Sequence, residues 1–173
     1  DVCCDDPYHN FVANGIVVHN SGKTFMVLVS TEHQIKKGVL GAGKTLVCGK
    51  LATLEVGWME DVKKFTNMKA ICLWVGMGGK RKEKLISLLN EPADIYIINH
   101  EGVQVLEEEL CKKQFQKVVV DESTILKSFH GNYEKLKGGK IGRSILRVAA
   151  SAEWRVVMSG TPAPNGPEDL WGQ

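Results

Sequence analysis

No run in this sequence approaches the ~20 consecutive apolar residues of a membrane span, and no signal peptide opens it. Both absences argue for a protein without a membrane segment. The five cysteines (Cys3, Cys4, Cys48, Cys72, Cys111) form no C-x-x-C pair, which sets paired-cysteine chemistry aside. The last three sit among aliphatic residues, as reduced core cysteines of a cytoplasmic protein do. Charge of one sign is also lacking: the net value is +2, too mild to argue for nucleic-acid binding and too mild to exclude it. There is no internal repeat, no low-complexity segment and no initiating Met, so the chain reads as a fragment or a processed piece. What is present is 173 residues, 43% hydrophobic and 24% charged. A chain of this length buries about 70% of its unfolded surface, enough for one full core.

The densest feature is a junction at His19-Asn20-Ser21, followed by Gly22-Lys23-Thr24. An Asn before a hydroxyl residue, with a His in front, suits self-excising chemistry. The Asn20 side-chain amide attacks its own backbone carbonyl, closing a succinimide and breaking the Asn–Ser bond. His19 can polarise that peptide, and the Ser21 hydroxyl can accept an acyl group as nucleophile. Residues 1–20 also read as a bare β-hairpin, with Asn14-Gly15 as a type I′ turn between FVA and IVV.

DPYHNFVANGIVVHN followed by Ser is similar to the C-terminal end of an intein along its whole length. The resemblance implies that Asn20 cyclises, that Ser21 is the first extein residue, that His19 is the penultimate His and that His9 assists from upstream. Asp1 falls where many inteins carry an assisting Asp. It also implies a hairpin remnant of a Hint-type intein fold over residues 1–20, and as partners an upstream intein portion with its N-terminal extein. The sequence departs from the family in that nothing precedes Asp1, so the N-terminal nucleophile and the β-rich body are missing.

Beyond the junction, residues 22–37 read as a helix opening at a phosphate loop. Short β-branched runs follow at 45–48, 70–75, 94–98, 117–120 and 155–158. Their nearly continuous apolar character predicts strands buried on both faces of a parallel sheet. Helical spacing lies between them at 53–65, 80–90, 101–113 and 141–152. In the first of these, Leu54, Trp58, Val62 and Phe65 share one face and are expected in the core. The alternation predicts a doubly wound α/β domain over residues 21–173, with its ligand at the carboxyl ends of the strands. The Gly-rich segments 76–79 and 138–142 read as surface loops.

Gly22-Lys23-Thr24 at a helix start supplies free backbone N–H groups and the positive end of a helix dipole. Lys23 would reach the β- and γ-phosphates and Thr24 would hold Mg²⁺. The first half of the loop and the strand before it are not in the sequence. Gly38-Val39-Leu40-Gly41-Ala42-Gly43-Lys44-Thr45 fits the complete phosphate-loop string better. Its context is inverted, however: a polar helix end precedes it and a strand follows. It is therefore expected to be a mimic, a helix-to-strand loop. Val118-Val119-Val120-Asp121-Glu122 is an apolar strand ending in two acids. Asp121 suits Mg²⁺ binding and Glu122 suits activation of a water. Ser159, Gly160 and Thr161, after another buried strand, are placed to sense the acids and couple hydrolysis to movement.

From Ser21 onward the chain resembles the first RecA-like motor domain of superfamily-two helicases, most closely the Swi/Snf-type DNA translocases. The marks stand in order: GKT at 22–24, LVCGKLATLEVGWMEDVKKF at 46–65, IINHE at 97–101, DEST at 121–124 and SGTPAPNGPEDLW at 159–171. The resemblance implies a P-loop NTPase that uses ATP and Mg²⁺, and a nucleic-acid backbone near residues 48–53, Asn99 and His100. DNA is the implied partner, with RNA left open, together with a second RecA-like motor domain. DEST departs from the commoner DEAH or DEGH and leaves open whether a duplex is unwound or only tracked. The expectation is a precursor fragment of such a helicase, spliced at Asn20–Ser21. Two rivals stand beside it: a self-contained P-loop kinase or GTPase using Gly38–Thr45, and a remnant without turnover.

Overall fold

Five parallel strands form the centre of the domain in the computed structural model, which describes residues 10–13, 16–19, 22–76, 80–126 and 139–160. Ahead of the sheet, β1 (Asn10–Ala13) and β2 (Ile16–His19) pair antiparallel, with Ala13 opposite Ile16. The turn expected at Asn14-Gly15 lies outside the described residues. The sheet itself comprises β3 (Thr45–Gly49), β4 (Ala70–Cys72), β5 (Ile95–Asn99), β6 (Lys117–Asp121) and β7 (Trp154–Met158), in the order β4-β5-β3-β6-β7.

Strand alternation explains the continuous apolar runs. Leu46, Cys48, Tyr96, Ile98, Val118 and Val120 face one helical layer, while Val47, Ile95, Ile97 and Val119 face the other. The first layer contains α4 (Arg81–Asn90), α5 (His100–Val105), α6 (Glu107–Lys113) and α7 (Lys140–Ala149), which bury Leu85, Val103, Leu110 and Ile145 against the sheet. The second contains α1 (Lys23–Lys36) through Leu28, and the helical stretch 51–65 through Leu54, Trp58 and Val62. Burying each such side chain stabilises by about 1.5–3 kcal/mol, so every central strand is held from both sides.

Several expectations need correction. The run 70–75 makes a strand only over Ala70–Cys72, with Leu73 N–H still donating to the Ile97 carbonyl at 2.7 Å. Trp74 then leaves the sheet, its ring covered by the Arg81 guanidinium at 4.7 Å. The helix expected over 101–113 breaks at Leu106. Glu107, Glu108 and Glu109 open a new helix there and Lys112 and Lys113 close it, each favourable at its end of the helix dipole. The stretch 53–65 begins at Leu51 and is not uniform: α2 (Leu51–Thr53) and α3 (Glu60–Phe65) flank a π-helical turn at Leu54–Met59. Gly142 is not in a surface loop but buried inside α7. Strand β7 is not buried on both faces: it lies at the sheet edge, with Val157 exposed and Met158 buried. Of the described cysteines, Cys48 is buried, its thiol pushed up to about 12 by burial, and Cys72 is half-buried. Cys111 is exposed. None of the helices among the described residues is long and apolar enough to cross a membrane.

Candidate active site

Helix α1 and strand β6 run in opposite directions and are pinned together near one end. The Lys117 ammonium, at the start of β6, donates to Thr31 Oγ1 at 2.9 Å and Gln34 Oε1 at 2.8 Å. Burial pushes the Lys117 pKa down. From Thr31 back to Lys23 the helix rises about 12 Å at 1.5 Å per residue. From Lys117 to Asp121 the strand advances about 13 Å. The start of α1 and the two acids therefore sit at the same level, at the carboxyl end of the sheet where doubly wound folds bind ligands.

The start of α1 is suited to an anion. Gly22 caps it in the left-handed region (φ 65) and a Cβ there would meet nothing within 4 Å. The first turn carries no acidic residue, and its leading amides point along the axis. Lys23 and Thr24 are half-buried. Thr24 and Asp121 offer the hard oxygen donors that Mg²⁺ prefers.

Both acids are held by the segment that follows β3. Trp58 lies in the π-helical turn, buried, and its indole N–H donates to Asp121 Oδ2 at 3.0 Å. The other oxygen, Oδ1, accepts the backbone N–H of Glu122 at 2.9 Å. Glu122 itself adopts φ 53, a left-handed conformation that costs a non-glycine residue about 1–3 kcal/mol and tends to mark functional sites. Its Oε2 lies 3.7 Å from the Lys50 ammonium. The chain then enters a short 3-10 helix, Ser123–Leu126.

The neighbouring strand end is turned inward. Asn99 and His100, expected beside a nucleic-acid backbone, are both buried. Asn99 Nδ2 donates to Glu101 Oε2 at 2.7 Å, and His100 Nε2 lies 3.0 Å from the Asp121 carbonyl oxygen. Burial is the main influence on His100 and pushes its pKa down, against the opposing pull of the Asp121 carbonyl. Gly102 makes this packing possible: a Cβ there would meet Asn99 Oδ1 at 2.6 Å and Ile98 Cγ1 at 2.9 Å.

The better phosphate-loop string lies at the opposite end of the sheet. Residues 38–44 connect α1 to the start of β3, and their polar groups are engaged by protein. The Lys44 ammonium donates to the Lys113 carbonyl at 2.8 Å, Gly41 N–H to Gln116 Oε1 at 2.8 Å, and Gly43 N–H to the Asp94 carbonyl at 2.9 Å. Gly38 and Gly43 take positive φ to make the turn.

Of the residues singled out in the sequence, Gly22, Lys23, Thr24, Asp121 and Glu122 are thus brought to one edge. Ser159 and Gly160 follow β7, whose register sets Met158 beside Asp121. The backbone of His19 ends β2, opposite Asn10. Asp1, His9, Asn20, Ser21 and Thr161 lie outside the described residues. Sequence reasoning missed the site contact of Trp58, and it placed Lys50 only within the stretch 48–53 expected near nucleic acid, not beside Glu122. Trp58 was expected only in the core, although a buried indole N–H needs an acceptor. Lys50, two residues past Cys48, is carried to Glu122 by the register that pairs Cys48 with Val120.

The fold and this edge define a RecA-like α/β domain. The SNF2-related domain family matches residues 7–172, and the chain belongs to that family. The match opens inside the segment that resembles an intein end. Protein p41 of Acyrthosiphon pisum secondary endosymbiont phage 1 is 31% identical over 154 residues, covering 88% of this chain and 32% of the phage protein. The chain thus spans about a third of that relative. Among solved structures, the Sulfolobus solfataricus SWI2/SNF2 ATPase core in complex with dsDNA aligns with TM-score 0.64 at 22% identity, over 87% of this chain and 28% of that one. A nuclease-deletion mutant of the Type ISP restriction-modification enzyme LlaGI, bound to a DNA substrate mimic, aligns with TM-score 0.53 at 14% identity, over 83% and 15%. At these identities the structural likeness is one of fold.

Proposed function

We propose that this chain is the first ATPase domain of a Snf-type DNA helicase or translocase, working in the cytoplasm and matured by protein splicing at Asn20–Ser21. The observation that carries the ATPase reading is the levelling of the α1 start with Asp121 and Glu122 by the Lys117 clamp. In this reading Ser21, Gly22, Lys23 and Thr24 cradle the phosphates, with Lys23 beside the group being transferred. Thr24 and Asp121 hold Mg²⁺, which when bound neutralises charge on the phosphate oxygens. Glu122 orients the attacking water and takes its proton. Ser159 and Gly160, just past β7 beside β6, act with Thr161 to transmit the state of the acids to a second RecA-like motor domain. DNA as the substrate is supported by the DNA complexes in which both structural neighbours were solved; Asn99 and His100, buried and bonded to Glu101 and the Asp121 carbonyl, lie beneath that surface and not on it.

The splicing reading rests on the resemblance of residues 1–20 and is supported by the β1–β2 hairpin. His9 and Asp1 assist, His19 polarises the junction, Asn20 cyclises and Ser21 receives the extein from an upstream intein portion. An intein at this position keeps the phosphate cradle incomplete until it leaves. The self-contained kinase or GTPase built on Gly38–Thr45 is disfavoured because those amides and Lys44 already have partners.

In the full-length spliced protein, Glu122→Gln keeps ATP binding and lowers hydrolysis by roughly 10²–10⁴-fold, while double-stranded DNA stimulates the wild type. Unaltered turnover in the variant would reduce the two acids to a helix cap.

A further inference from the structure

Lys50 is the first residue past β3 and Glu122 the first past β6. The parallel register that sets Cys48 beside Val120 brings their side chains to the same level of the sheet edge. The Lys50 ammonium stands 3.7 Å from Glu122 Oε2, with the two side chains 59% and 40% exposed. The backbone of Glu122 is in the left-handed region, and its N–H is tied to Asp121 Oδ1. Its main chain is thus committed, and the carboxylate is the part left to move. Lys50 caps the short α2, where its carbonyl accepts from Thr53 N–H and Thr53 Oγ1, each at 3.0 Å. Its main chain is also committed, and its ammonium is free to change partner.

We propose that Lys50 is a positioning residue for Glu122. It holds the carboxylate aside in the nucleic-acid-free protein and yields it when a phosphodiester oxygen of the nucleic-acid backbone takes the ammonium. The proposal rests on the reading of Glu122 as the water-activating group. While the pair is formed, Oε2 is engaged by an ammonium and turned towards β3, so one of the two oxygens that could accept the water's proton is occupied. An ion pair this exposed is weak, and a polyanion that gains a cation with release of its own counterions competes well for it. The same helical stretch anchors Asp121 through Trp58. The metal-holding acid therefore stays in place while the proton-accepting acid is released. Nucleic-acid contact and hydrolysis are joined through one side chain, over a single residue-to-residue step.

The test measures ATP hydrolysis by the full-length protein, with and without saturating double-stranded DNA, for wild type, Lys50→Gln, Lys50→Arg and Glu122→Gln. Lys50→Gln is expected to raise the DNA-free rate by roughly twofold to fivefold, the span an exposed ion pair can hold back. Its DNA-saturated rate stays no higher than wild type, so stimulation shrinks. Lys50→Arg keeps the wild-type ratio. Raising salt from about 0.05 to 0.5 M screens the pair and lifts the DNA-free rate of the wild type but not of Lys50→Gln, a response that a purely structural lysine would not show. A DNA-free rate that is unchanged or lower in Lys50→Gln, with wild-type salt dependence, overturns the proposal and leaves Lys50 as a DNA contact only. Should Lys50→Gln misfold, the wild-type salt series and Lys50→Arg decide. Glu122→Gln separates the two levels: if it still hydrolyses ATP, the assignment of the base fails; if it does not and Lys50→Gln is silent, only the latch fails.

Discussion

Trp58 and Asp121 are 63 positions apart in the chain and 3.0 Å apart in space, indole N–H to carboxylate oxygen. The contact joins the helical layer under β3 to the acid at the end of β6, and it settles which way the carboxylate faces. With Oδ2 taken by the indole and Oδ1 by the Glu122 amide, the Asp121 carboxylate is held in one orientation.

A hydrogen bond to a charged group contributes about 1.5–3 kcal/mol. Trp58→Phe keeps most of the buried ring and removes the donor. In a double-mutant cycle with Asp121→Ala, followed by urea unfolding, the coupling between the two positions should fall in that range. A coupling within about 0.5 kcal/mol of zero would show that the indole serves packing alone.

The two candidate phosphate lysines should separate cleanly. Lys23→Ala abolishes ATP hydrolysis in the spliced protein, because it removes the charge at the start of α1. Lys44→Ala leaves hydrolysis largely intact. It costs instead about 1–3 kcal/mol of stability for the uncapped Lys113 carbonyl, read as a lower melting temperature. Hydrolysis that depends on Lys44 and not on Lys23 would place the nucleotide at the other end of the sheet.

Splicing is tested by supplying the chain with a matching intein N-terminal portion that carries its own extein. Mass spectrometry should show residues 1–20 released and the extein joined at Ser21. Asn20→Ala removes the cyclising amide and stops the release. A variant that frees residues 1–20 as efficiently as wild type would refute the assignment.

His100 sets a pH dependence. Its pKa is depressed in the folded chain by burial, so below the unfolded value of about 6.5 the unfolded state binds more protons. Stability from this residue is therefore full above that value and is lost as pH falls through the lower folded value. The carboxylates with lowered pKa, Glu32 and Glu107, lose theirs only further down, below their ordinary 4.5. Thermal unfolding between about pH 7.5 and 5.5 should show a fall in wild type that is shallower in His100→Gln. Equal slopes would remove His100 from the account.

Much of the fold was legible because its physics is local. Strands buried on both faces must be continuously apolar, and five such runs separated by helical spacing leave few arrangements other than a parallel sheet. The level of the site was legible for the same reason, since GKT opens a helix and DE closes a strand. What escaped depends on register between distant segments. The partnership of Lys50 with Glu122 follows from pairing Cys48 with Val120, which neither segment announces alone. The break at Leu106 was hidden because apolar spacing continues through it, and only the three glutamates mark a new helix start. The half-exposed β7 has the same composition as the central strands; its place at the edge is a property of the whole sheet.

The Lys117 clamp makes α1 a measuring rod with a fixed zero. Distance and azimuth from Thr31 to Lys23 are both counted in residues, and one added or deleted residue turns everything ahead of it by about 100°. A single-residue insertion between Thr24 and Thr31 would swing the lysine off the sheet edge and leave the acids facing empty solvent. An insertion of the same size in the exposed part of the 38–44 loop would change little there. Tolerance to length change thus differs on the two sides of the clamp: the spacing from Thr24 to Thr31 is fixed by the helix, while the 38–44 loop beyond it has slack.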